Sequence, residues 1–247
     1  MTEFQQRRLL RISGADARSF LQGLITNDVN KLDQGLVYTA LLTPQGKYMA
    51  DFFLVPDGES ILLDTDAAQT DMLAKRLTMY KLRADVSIEE DERSVTRGTS
   101  ETPEGAFADP RSNALGWRSY AGHADENVDW SALYVAHSVP NAGRELSADS
   151  FILEMGFERL NGVDFKKGCY VGQEITARMK HKTELRKGLA QVSITGEAPI
   201  GTDITTADGK PAGTLFSQSN GHALAYLRFD RATGALNAKD AQITYAP

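Results

Sequence analysis

Lys166-Lys167-Gly168-Cys169-Tyr170-Val171-Gly172-Gln173-Glu174 holds the only cysteine of the chain. Two lysines precede that cysteine and two glycines bracket it. A helical pattern follows over 172–182, with Ile175 and Met179 on the inner face and Arg178 and Lys182 sharing another. Cys169 then sits just before a helix start, where unpaired backbone amides and the helix dipole favour an anion. Nearby ammonium groups and a helix N-terminus activate a thiol. A lone cysteine is more often a small apolar core residue. Two chemical readings therefore stand side by side for Cys169 with Lys167, a nucleophilic thiol or an anion clamp.

Charge singles out the same region. The chain carries a net −6, which argues against a general nucleic-acid binder. From Lys166 to Lys187 there are seven bases and only two acids, so this segment is +5 and the remainder −11. The plain meaning of such a run is a solvated helix face; the functional meaning is a local anion site. Apolar content of 41% supports a real core. No apolar run reaches the length of about 18 residues that a membrane span needs. One cysteine excludes an internal disulfide, and four scattered histidines give no zinc spacing, so no metal site is expected. The stretch Met1 to Arg11 is polar and lacks a secretory h-region, so a cytoplasmic protein is expected.

The flanking chain alternates strands and helices. Strands are expected over 7–12, 37–42, 48–55, 60–63 and 83–90, and helices over 15–22 and 67–82. Ser13 or Asp16 is placed to cap the first helix, and Gly23 to end it. Thr43-Pro44-Gln45-Gly46-Lys47 is turn chemistry joining two strands into a hairpin. Residues 99–110 read as a loop, 114–120 as a strand, and 130–139 as a helix stopped by Pro140. After Thr183, glycines and prolines punctuate short apolar segments, the pattern of a small β-barrel or sandwich. The division expected is 1–182, an α+β region of two intertwined subdomains, and 183–247, a β-barrel domain.

Lys167 to Glu174 resembles the signature of the YgfZ proteins, folate-binding relatives of the glycine-cleavage T-protein that support iron–sulfur cluster maintenance. Leu10 to Leu21 with Thr26-Asn27-Asp28, the hairpin Thr43 to Lys47 with Asp51, Leu160 to Phe165, and Gly213, Ser217 and Leu224 to Arg228 are similar to the same family in order. The resemblance spans nearly the whole chain and is weakest over 91–125. It implies an α+β, T-protein-like folate-binding fold, with mixed α/β domains around a central cavity and a C-terminal β-barrel. It implies tetrahydrofolate as cofactor and a role in assembly or repair of iron–sulfur clusters in client enzymes, tRNA-modifying ones included. Lys167 and Cys169 are the positions tied to activity. Asp51, Glu154, Tyr170, Gly172, Gln173, Glu174 and Arg178 are the expected folate-binding set. A single thiol cannot hold a cluster alone, so any contact with one is transient or shared with a partner. No membrane partner and no direct nucleic-acid binding are expected. The alternative is a folate-dependent aminomethyltransferase of the T-protein type. It ranks second because Asp51 stands without a second aspartate, Tyr134-Val135-Ala136-His137-Ser138 replaces an Arg-x-Glu-x-Gly run, and Ile152-Leu153 precedes Glu154.

Overall fold

The computed structural model describes residues 6–181 and 184–246. The expected boundary near Thr183, and Lys182 of the basic helix face, lie outside these residues. The chain divides into two compact units, Met1–Val128 with Glu158–Ile175, and Asp129–Phe157 with Thr176–Pro247.

The first unit is built on β1 (Arg7–Ser13), α1 (Ala17–Gln22), β2 (Val37–Leu42), β3 (Tyr48–Asp57), β4 (Ser60–Asp66), α2 (Ala67–Lys81) and β5 (Ser87–Asp91). The strands form one antiparallel sheet in the order β2-β3-β4-β1-β5. Side chains alternate between its faces with a period of two. Leu10, Ile12, Val37, Leu41, Phe52, Leu54, Ile61 and Leu63 enter a core shared with Leu21 of α1 and Leu73 and Leu77 of α2. Asp66 caps α2 by accepting from the Ala68 amide. Asp16 occupies the cap position of α1, but its side chain accepts from the Asp85 amide instead, at 2.8 Å. Gly23 ends α1 in a right-handed conformation, with its amide on the Ser19 carbonyl.

The opposite face of that sheet is charged and aromatic. Asp64 on β4 is fully buried and accepts from Arg7 Nε at 2.6 Å, Arg118 at 2.8 Å and the Tyr120 hydroxyl at 2.9 Å. Arg118 belongs to a small sheet of β6 (Thr96–Gly98), β7 (Phe107–Ala108) and β8 (Trp117–Ser119), ordered β6-β8-β7. The loop reading of 99–110 misses β7, because two residues are too few to show a period. Asp109 pairs with Arg111 at 2.8 Å and Arg118 at 3.2 Å. The guanidinium carbons of Arg7, Arg111 and Arg118 lie 5.8, 4.9 and 4.0 Å from the centre of the Phe53 ring. Burial pushes the Asp64 carboxyl up, and the charges of Arg7 and Arg118 overcome it, so its pKa falls below the ordinary value.

The second unit carries α3 (Trp130–Ala136) and a closed barrel of β9 (Lys187–Thr195), β10 (Asp203–Thr206), β11 (Pro211–Ser219), β12 (His222–Arg228), β13 (Ala235–Ala238) and β14 (Ala241–Thr244), in the order β10-β11-β12-β9-β14-β13. Closure removes the exposed strand edges that an open sheet would present. Its interior is filled by Val192, Ile204, Leu215, Leu227, Leu236 and Ile243. Buried Glu145 accepts from the Asn141 amide at 2.9 Å and the Ser217 amide at 3.2 Å, tying the loop after α3 to β11. The expected α+β class with a C-terminal barrel is the architecture found. The helix after the signature, α4, runs Gln173–His181. Its buried residue is Thr176, with Ile175 and Met179 only half-buried beside it.

Candidate functional site

The signature segment is pinned to the first unit by its own chain. Thr26 Oγ1 donates to the Gly162 carbonyl at 2.7 Å, Asn27 Nδ2 to the Asn161 carbonyl at 2.6 Å, and the Asp164 amide to the Thr26 carbonyl at 3.0 Å. Lys167 then turns inward and is only 7% exposed. Its ammonium donates to the carbonyls of Gln22, Ile25 and Asn27 at 2.7, 2.6 and 2.9 Å. Gln22 is the last residue of α1, so this lysine caps a helix end whose carbonyls have no partner within the helix. Burial pushes its pKa down to about 8, against the pull of Asp28 and Asp164. It is still mainly an ammonium at neutral pH. Its charge lies 5.1 Å from the centre of the Tyr170 ring.

Cys169 does the reverse. It is exposed and unpaired. Lys166 and Gly168 beside it are exposed too, and a Cβ on Gly168 would meet nothing within 4 Å. Gly172 is different. Its φ is +82°, and a Cβ there would lie 2.6 Å from the Thr43 carbonyl. The hairpin loop 43–47 therefore fits against the entry to α4 only because this residue has no side chain. The result is an exposed thiol on a loop anchored on both sides: Lys167 buried before it, and Tyr170 and Gly172 packed after it.

The other expected site residues fall on separate elements of the two units. Asp51, 9% exposed, accepts from the hydroxyls of Tyr38 at 3.0 Å and Tyr48 at 2.6 Å. Burial and the neighbouring Asp51 raise both tyrosines well above their ordinary pKa. Among the described residues no hydrogen bond joins Asp51 to Lys167 or Cys169. Gln173 and Glu174 form the first turn of α4, and Arg178 lies exposed in its last turn. Glu154 belongs to the second unit. Its carboxylate accepts from the Tyr226 hydroxyl at 2.6 Å and its carbonyl from the Leu189 amide at 2.7 Å. It lines a cleft of about 700 Å³ with Met179, His181, Glu184, Leu185, Arg186 and Lys187.

Sequence reasoning missed the two tyrosines on Asp51. The signal of Tyr48 is obscured by a bulge: Leu41 pairs with Ala50 but Leu42 with Tyr48, so Met49 is an extra residue. The slip brings Tyr48 to the Asp51 face despite the odd spacing. It also did not assign Tyr226 to the site, although the run Leu224 to Arg228 is among the family-like stretches. Among the described residues, no three His, Cys, Asp or Glu side chains come together as a metal site. No helix there is long and apolar enough to cross a membrane.

Comparison with known proteins agrees with this geometry. Residues 186–247 match the description "CAF17, C-terminal beta-barrel domain". The chain is 30% identical to the mouse protein named iron-sulfur cluster assembly factor IBA57, mitochondrial, with 96% of this chain and 79% of the relative covered. The human protein of that name is 29% identical, with 94% and 78% covered. A Neurospora crassa homologue is 31% identical over 76% of this chain, and there the chain spans only about half (52%) of the relative. The glycine cleavage system aminomethyltransferase T from Bartonella henselae superposes with a TM-score of 0.72 at 13% identity, covering 97% of this chain and 83% of that one. At that identity the likeness shows the fold alone. The expectation of a cytoplasmic protein is overturned by these sequence relatives, each of which is named as mitochondrial.

Proposed function

Because the chain belongs to the IBA57 family of iron–sulfur cluster assembly factors, we propose that it acts in iron–sulfur cluster assembly or repair and presents Cys169 as the working thiol. The observation that carries this is the exposed sulfur on a loop fixed by the three bonds of Lys167. A thiolate is a ligand for iron. One thiolate fills one of the positions a cluster needs, so the cluster is cargo and the remaining ligands come from a client or carrier protein. Lys167 acts as a positioning residue: all three of its N–H groups are spent on carbonyls, and none remains to donate to a thiolate at Cys169. The finer placement with the YgfZ proteins rests on the signature Lys167 to Glu174, and client enzymes that modify tRNA belong to that placement.

Tetrahydrofolate is the ligand we assign to the second unit. Glu154 offers a carboxylate to the paired N–H donors of a pterin, oriented by Tyr226. Arg186 and Lys187 line the same cleft and suit the carboxylates of a glutamate tail. The volume of about 700 Å³ falls within the usual range for small-molecule sites. Bound there, the folate supplies one-carbon chemistry, while the chain's own residues bind and orient it.

The test is a strain that lacks the protein, scored by the activity of its iron–sulfur enzymes. The native chain restores activity and Cys169→Ala does not, with the unfolding midpoint of the variant unchanged. Full restoration by Cys169→Ala removes the thiol from the function. Titration with tetrahydrofolate tests the second assignment separately: binding is expected, weakened by Glu154→Gln, and saturation that ignores this substitution places the ligand elsewhere.

A further inference from the structure

The end of α2 carries a surface that the cluster chemistry does not use. From Met72 to Ala84 the chain has Lys75, Arg76, Lys81 and Arg83 and no acid, so these thirteen residues are +4 and the remainder −10. Among the described residues, none of the four cations makes an ion pair. Between them stand two large apolar side chains, Met79 at 66% exposure and Leu82 at 88%. Met72 and Tyr80 on the same helix lean on the core, but Met79 and Leu82 do not.

Leu82 is also held in a backbone conformation that leucine disfavours. It follows the last residue of α2 with φ +47° and ψ −104°, and the Ala84 amide closes the turn on the Lys81 carbonyl at 2.8 Å. Glycine takes such a position freely, whereas a side chain there adds strain. The fold thus holds a strained leucine and exposes nearly all of it. Nothing inside the protein gains from that side chain.

We propose that this surface docks an acidic protein, whose carboxylates meet Lys75, Arg76, Lys81 and Arg83 around an apolar pocket that receives Leu82 and Met79. Apolar anchors at the centre and charges at the rim are the anatomy of a protein interface. Methionine adapts its shape to such a pocket. The unpaired cations supply complementarity and speed the encounter. A phosphate backbone offers no apolar pocket for Leu82 and Met79, and an extended anionic bilayer would meet the −10 of the remainder of the chain as well as this patch, whereas a protein can contact the patch alone. The surface is independent of the Cys169 assignment and stands or falls without it.

The experiment places a photo-crosslinking amino acid at Leu82 in the full chain within cells. The adduct is identified by mass spectrometry, and the captured protein is then purified and its binding measured. The proposal holds if that protein is acidic and three conditions are met. Lys75→Glu with Arg83→Glu weakens binding at least about tenfold. Leu82→Gly weakens it comparably. Neither variant unfolds at lower denaturant than the parent. Leu82→Gly is the decisive member, because it relaxes the turn while removing the anchor. No protein adduct, an adduct to lipid, nucleic acid or a second copy of the chain, or binding that ignores these substitutions overturns the proposal.

Discussion

Replacing Lys167 with methionine keeps most of the side-chain bulk and removes the ammonium. The Gln22 carbonyl is partly reached by solvent, but the bonds to Ile25 and Asn27 are buried. A buried acceptor left without a partner costs about 1–3 kcal/mol, so the two buried carbonyls together cost about 2–6. Removing the charge also removes its own desolvation penalty, and this returns part of the loss. The fall from 10.5 to about 8 puts that returned penalty at about 3 kcal/mol, so a net destabilisation of about 1–2 kcal/mol is expected. The assay is equilibrium urea unfolding of both proteins. The parent has a second signature. Its lysine titrates at about 8 when folded, against an ordinary 10.5. Between those values the unfolded chain keeps a proton that the folded chain has released. Stability therefore rises with pH across the window, by up to about 1.4 kcal/mol per unit, and Lys167→Met loses that slope. A variant that loses cluster-dependent activity while its stability falls by less than about 1 kcal/mol would refute the clamp and return Lys167 to direct chemistry.

Gly172→Ala drives a methyl group to 2.6 Å from the Thr43 carbonyl at a positive φ, so a loss of about 2–3 kcal/mol in unfolding free energy and a shifted α4 are expected. Asp64→Asn leaves Arg7 buried without its carboxylate and Arg118 with Asp109 alone, and costs about 3–5 kcal/mol, read as a lowered urea midpoint. Tyr38, Tyr48 and Tyr120 all have pKa values raised well above 10 by burial and then by their aspartates. Their contribution is complete below pH 10. Above it the unfolded phenols ionise while the folded ones stay protonated, so stability falls by up to about 4 kcal/mol per pH unit. In a spectroscopic titration these phenolates appear only as the protein unfolds; phenolate absorbance from all three in the folded state would contradict this.

Most of the elements were legible because their patterns are local. Short apolar runs bounded by turn residues placed β1 to β4, helical spacing placed α2, and turn chemistry placed the hairpin of Thr43 to Lys47. Glycine and proline spacing announced a small β-structure after Thr183, which the structure closes into a six-stranded barrel. The sequence alone also singled out Lys167 to Glu174 as the decisive segment, through an unusual concentration of charge around one cysteine and a family signature.

What tertiary structure decided is where each charge is spent. The two lysines before Cys169 look alike in sequence, yet Lys166 points to solvent and Lys167 is buried on three carbonyls about 140 residues earlier in the chain. No local pattern reports this, because the acceptors are backbone atoms freed by the end of α1 and brought close only by folding. The same holds for Asp51, whose partner Tyr48 reaches it through a bulge, and for Asp64, which meets Arg118 across 54 positions. Leu82 is the converse case. In sequence it is one more apolar residue at the end of a helix, and only the fold, by burying Leu73 and Leu77 and turning the chain at Lys81, leaves it outside. Hydrophobic periodicity tells which face of an element goes inward; which polar atoms and which apolar ends are left without an internal partner depends on how the elements meet.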